Sequence, residues 1–100
     1  MASSPIPATM TEVTITSPGG PEVLQPRTVP TPAPGDGELL VRVMAAGVNR
    51  PDVLQRKGLY PTPPGATPTP GLEVAGEVVA VGTSVRQFAM GDSVFGLTDG

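Results

Sequence analysis

Between Asn49 and Gly82 the chain gathers the side chains best suited to chemistry, in the run NRPDVLQRKGLYPTPPGATPTPGLEVAGEVVAVG. Asn49 carries an amide that can donate or accept a hydrogen bond without titrating. Tyr60 is the single tyrosine, a flat ring whose hydroxyl either stays wetted while the ring packs or meets a substrate oxygen. Asp52 and Glu73 supply carboxylates, and Arg50 a cation. What is missing is equally informative: the 100 residues contain no cysteine and no histidine. Thiolate nucleophiles, disulfides, imidazole bases and soft metal ligands are therefore unavailable.

Composition narrows the partners. Six Lys+Arg against nine Asp+Glu give a net charge of −3, and Arg56-Lys57 is the only adjacent basic pair. Binding a phosphate backbone needs a basic patch or stripe, so nucleic acid is not an expected partner. No run approaches the roughly 20 apolar residues of a membrane helix. The opening MASSPIPAT lacks the charged and apolar regions of a secretory signal. These readings together make a soluble, cytoplasmic protein the expectation.

The elements that must position these residues are short and strongly punctuated. Fourteen prolines and thirteen glycines separate apolar runs, which reads as turns in a β-rich domain rather than as disorder. Residues 1–9 read as a disordered extension. From Met10, Val13 and Ile15 alternate with Glu12, Thr14 and Thr16, the period of a half-buried strand. Val23 to Val29 is a second extended segment, confined by Pro26 to an edge or a bulge. Glu38 to Ala46 is the clearest strand, with Leu39, Val41 and Val43 expected on one face.

Asn49 then opens a helix over about 50–57. It is a preferred N-cap, Pro51 is tolerated in the first turn, and Asp52 favours the positive end of the helix dipole. Gly58 is a natural stop. Tyr60 to Pro70 carries five prolines (61, 63, 64, 68 and 70) and reads as a long irregular loop. Glu73 to Val81 is strand-like, with Gly76 marking a bulge or a close backbone approach. Val85 to Phe88 is expected to be extended, and Gly91-Asp92 turns into Val94 to Leu97. Several short strands between Pro/Gly turns predict a sandwich or barrel.

Four pieces, in this order and spacing, carry a family likeness: Ala45-Ala46-Gly47-Val48-Asn49-Arg50 with Asp52; Arg56-Lys57-Gly58-Leu59-Tyr60-Pro61; Pro70-Gly71-Leu72-Glu73 with Ala75-Gly76-Glu77-Val78 and Val81-Gly82; and Gly91-Asp92-Ser93-Val94. Across Met10 to Gly100 the chain resembles the zinc-free quinone oxidoreductases of the medium-chain dehydrogenase/reductase superfamily. The resemblance implies a mainly β fold: a GroES-like, partly open β-barrel with one short helix, incomplete within these residues. Zinc-dependent relatives carry a cysteine ligand where this chain has Asn49 and a histidine ligand where it has Leu72. An amide and an aliphatic side chain cannot replace them around tetrahedral zinc.

The implied activity is NAD(P)H-dependent reduction of a quinone or other conjugated carbonyl without zinc. The resemblance places Asn49 and Tyr60 among the catalytic contributors, Asn49 and Arg50 near NADPH (or NADH), and Asp52 and Glu73 in support. Each has a plainer reading as well: Asn49 as N-cap, Tyr60 as packing, Asp52 as a helix-start carboxylate, Arg50 as a solvated side chain, and Glu73 as a carboxylate at the start of a strand. The Gly-rich strand-to-helix turn that grips a dinucleotide is absent. The Rossmann domain is expected downstream, and the 100 residues alone are expected to be inactive. Homodimerisation is common in the family, through a surface also expected downstream. Two alternatives stand beside this reading: an enoyl-thioester reductase on the same scaffold, and a non-catalytic β-barrel module or inactive truncated fragment.

Overall fold

The computed structural model describes residues 6–98. Five strands and one α-helix follow in the order β1 (Thr9–Ile15), β2 (Leu24–Pro30), β3 (Leu39–Ala46), α1 (Arg50–Arg56), β4 (Glu73–Val81) and β5 (Ser93–Leu97). The mainly β expectation is met, and the helix falls where the capping residues predict it. Among the described residues the strands form two sheets rather than a closed barrel: β1 with β2, and β3–β4–β5, every pairing antiparallel.

Three expectations need correction. β1 begins at Thr9, inside the stretch expected to be an extension. Thr9 pairs with Pro30, and the Thr31 N–H donates to the Ala8 carbonyl at 2.9 Å; residues 1–5 of that extension lie outside the described residues. Val85 to Phe88 is not a strand. Its bonds are local instead, the Val85 N–H donating to the Gly82 carbonyl at 3.2 Å and the Arg86 side chain to the Thr83 and Val85 carbonyls. Finally, the alternation expected along β3 breaks at two register shifts, Leu40/Val41 and Val43/Ala45. The first leaves Val79 of β4 without a partner and the second Met44 of β3, and a bulge turns over the side chains that follow it on its own strand. Val43, just before the β3 bulge, is 51% exposed.

The first hairpin supports the helix. Before β2, Pro21–Val23 form a 3₁₀ turn that buries Val23. The Gly19 N–H donates to the Arg56 carbonyl at 2.9 Å, and Arg56 Nε returns a bond to the Gly19 carbonyl at 3.0 Å. A helix of two turns is unstable alone in water; this reciprocal pair docks its last turn on the β1–β2 connection. Gly58, at φ +80°, ends it in the left-handed region where glycine is unstrained.

The core of the three-stranded sheet is Val78, 1% exposed, beside Val79. Gly76 has the close backbone approach its position in a strand suggests: a Cβ there would overlap the Arg42 carbonyl of β3. Much apolar surface stays outside, including Phe95 at 89% and Leu97 at 84% on β5 and Met44 at 70% on β3.

Candidate active site

The site forms where β3 ends and β4 begins. Ala46, the last residue of β3, pairs with Val74, so Gly47 lies beside Glu73, the first residue of β4. The Gly47 N–H donates to the Glu73 carbonyl at 3.2 Å. Upstream of Glu73, Gly71 takes φ +116°, a turn open to glycine and costly to a residue with a Cβ. The end of β5 fastens this corner, the Thr98 N–H donating to the Leu72 carbonyl at 2.7 Å.

Asn49 occupies the N-cap of α1 with extended backbone, φ −123° and ψ 163°. Its N–H donates to Asp52 Oδ2 at 2.9 Å, the returning half of a capping box, and the Asp52 N–H donates to the Asn49 carbonyl at 3.0 Å. Asp52 is thus committed to the helix start. Its second carboxylate oxygen, Oδ1, is buried without a protein partner. The Asn49 amide reaches away from the helix, Nδ2 donating to Glu73 Oε1 at 3.0 Å. A carboxylate only accepts, so the amino end of the amide must face Glu73, and its orientation is fixed chemically.

Glu73 also lines a groove of about 430 Å³ whose other walls are apolar, among them Ala45, Val74, Phe95 and Leu97. A charged acceptor hydrogen-bonded to an amide, on an otherwise apolar groove, is the arrangement that fixes the orientation of a flat polar ligand. Gly47 completes the floor. A Cβ there would overlap the Glu73 carboxylate.

Tyr60 lies elsewhere. It lines a recess of about 340 Å³ between the first hairpin and the helix C-terminus, with Thr14, Ile15, Arg27 and Gln55. That recess shares no lining residue with the Glu73 groove. The long loop is pinned beside it, Gln55 Nε2 donating to the Pro68 carbonyl at 2.7 Å and Thr69 Oγ1 to Glu12 Oε1 at 3.2 Å. Glu12 in turn pairs with Arg27. Arg50 is exposed at the first turn of the helix. The structure therefore joins Asn49, Asp52 and Glu73, and sets Tyr60 and Arg50 apart.

Residues 35–99 match the alcohol dehydrogenase GroES-like domain. The chain belongs to this family. It is 46% identical over 78 residues to a quinone oxidoreductase of Lama guanicoe, covering 77% of this chain and 24% of that protein. Over 71 residues it is 49% identical to the mouse (Mus musculus) synaptic vesicle membrane protein VAT-1 homolog, covering 71% and 18%. Among solved structures, Escherichia coli quinone oxidoreductase complexed with NADPH superposes with a TM-score of 0.76 at 38% identity, over 86% of this chain and 26% of that one. The human VAT-1 homolog-like protein superposes at 0.83 with 38% identity, over 91% and 29%. The chain spans about a quarter of the length of such relatives. The GroES-like domain is thus the part in hand, and the resemblance read from its motifs is met at the level of family and fold.

Two features of this GroES-like domain escaped the residue-by-residue reading. Gly47 belongs to the family motif, yet nothing in its local sequence says that Glu73, 26 positions later, fills the space of its missing side chain. Phe95 and Leu97 join the groove only through the β4–β5 register, which pairs Ala75 with Phe95 and Glu73 with Leu97.

Proposed function

We propose that this GroES-like domain forms the substrate-side wall of a zinc-independent reductase that uses NAD(P)H to reduce quinones or related conjugated carbonyls. The observation that carries the reading is the Asn49 amide bonded at 3.0 Å to Glu73, whose carboxylate lines an apolar groove. The relatives named quinone oxidoreductase, one of them complexed with NADPH, support the substrate class and the cofactor.

The donor set argues against zinc. The two family ligand positions hold an amide and an aliphatic side chain, leaving Glu73 and the helix-capping Asp52 as the nearby carboxylates and too few donors for a tetrahedral site. The groove does suit a flat, mostly apolar ring. Asn49 is the residue best placed to hold a nicotinamide or substrate carbonyl, with exposed Arg50 available to a phosphate. When bound, the reduced nicotinamide supplies a hydride. The chain's own residues bind, orient and exclude water: Ala45, Val74 and Phe95 form the dry wall, and Glu73 holds the Asn49 amide still. A prearranged hydrogen bond to an oxygen gaining negative charge is the larger part of such catalysis. Tyr60, in its separate recess, contacts the outlying part of a larger substrate.

The test is steady-state NADPH oxidation by the full-length protein with 1,4-benzoquinone. Activity should persist after exhaustive chelation, and Asn49→Ala should lower kcat/KM about 10²-fold, the scale of losing one oriented donor. Tyr60→Phe should leave 1,4-benzoquinone turnover nearly unchanged and cost less than tenfold, mostly in KM, with a quinone carrying a long side chain, as expected for binding remote from the reacting atoms. Loss of activity on chelation with recovery on adding zinc, or an unaffected Asn49→Ala enzyme, would sink the reading.

A further inference from the structure

We propose that Gly47 is a positioning residue for Asn49, acting through the Glu73 side chain. This rests on the reading of Asn49 as a substrate-facing amide. The contacts run in series. Gly47 has no Cβ, and the Glu73 carboxylate occupies the place where one would stand, the Glu73 Cδ and Cγ lying 2.7 and 3.0 Å from it. With that volume free, Oε1 reaches Asn49 Nδ2 at 3.0 Å. The Gly47 N–H to Glu73 carbonyl bond holds the two backbones in register at 3.2 Å. Nothing in the Gly47 backbone itself demands glycine, because its φ is not among the positive ones. The demand comes from the side chain across the strand pair.

A methyl group at position 47 therefore has one escape: the carboxylate swings away. Glu73 is a long, exposed side chain, so the swing costs little in folding. It does release the Asn49 amide, which then rotates and no longer presents a fixed donor. Loss of orientation of one group can cost up to about a hundredfold in rate while leaving the fold intact.

The experiment is a double-mutant cycle in the full-length protein with Gly47→Ala, Glu73→Ala and the pair, reading kcat and KM with NADPH and 1,4-benzoquinone. A second readout is the Asn49 side-chain amide in ¹⁵N-edited NMR spectra. Gly47→Ala should lower kcat about tenfold or more, with KM little changed, and Glu73→Ala should do the same. The pair should lose no more than Glu73→Ala alone, because the obstructed side chain is gone. Both single variants should shift the Asn49 amide resonances toward those of a free, exchanging amide. Losses that add, or an Asn49 amide unmoved by Gly47→Ala, overturn the proposal. If Gly47→Ala fails to fold, the pair should fold again; a pair that also fails would overturn it too. A wild-type protein inactive toward quinones, with amide shifts that follow the expected pattern, would remove the functional reading and leave the positioning role standing.

Discussion

Two of the glycines in this domain, Gly82 and Gly47, remove a side chain so that two segments can touch, and they do it to opposite effect. At Gly82 the neighbour is backbone: a Cβ would overlap the carbonyls of Gly35 and Asp36. The Gly82 N–H donates to the Glu38 carbonyl at 2.8 Å, and the Ser84 N–H to the Asp36 carbonyl at 2.9 Å. The Ser84 hydroxyl donates to Asp36 Oδ2 at 2.6 Å, and the Thr83 hydroxyl to Oδ1. Polar groups at that junction are paired, and it is closed. At Gly47 the neighbour is a flexible carboxylate on an open groove. One close approach seals the fold; the other aims a side chain. The lesson is that a glycine's cost of substitution follows from what fills its empty volume, since backbone cannot move aside and a side-chain tip can.

The comparison makes graded predictions. Gly82→Ala should be the most damaging, destabilising by about 3 kcal/mol or more through forced backbone displacement; urea unfolding measures it, and a loss below about 1 kcal/mol would break the contrast. Gly47→Ala should cost only about 1 kcal/mol in the same measurement, within the range of an ordinary surface-side change. Its effect belongs in kcat instead.

The smallest effect concerns pH. Hydrogen bonds from the Ser84 hydroxyl, then Thr83, hold the Asp36 carboxyl below its ordinary value of 3.8. A lowered folded-state pKa means the stabilisation is fully present above the unfolded value and is lost as pH falls through the folded one. Ser84→Ala should therefore flatten the fall in stability below about pH 4, leaving near-neutral stability slightly reduced. An unchanged acid limb would show that the junction draws nothing from Asp36.

Much of the helix was legible locally. Asn49, Pro51 and Asp52 at its start and Gly58 at its end are short-range signals, and the Asn49–Asp52 bond at 2.9 Å and the φ of +80° at Gly58 are what they specify. Strand position was legible where apolar and polar residues alternate, as in β1, but the buried face was not: Val13 is 44% exposed while Glu12 and Thr14 are half-buried. Position was less legible in β3 and β4, where a bulge on each strand resets the register, and at Val85 to Phe88, where composition suggests a strand but no strand pairs with it among the described residues. The site divides in the same way. Asn49, Asp52 and Glu73 stand out as polar residues at element boundaries. The separation of Tyr60 from them did not, because the course of a loop with five prolines is set by contacts such as Gln55 with Pro68.

By itself the sequence determined the chemistry that is open to this protein. Without thiol or imidazole among these 100 residues, their polar side chains can hydrogen-bond and orient but supply no soft metal ligand. It also determined the local punctuation, because capping and turn preferences act over a few residues. The tertiary structure decided which of those side chains meet. Asn49 and Glu73 are 24 positions apart, Gly47 and Glu73 are 26 apart, and Phe95 lies further still. Only the antiparallel register of β3, β4 and β5 brings Gly47, Glu73 and Phe95 to one groove and sets Asn49 against Glu73, because strand pairing is a long-range contact that no local preference encodes.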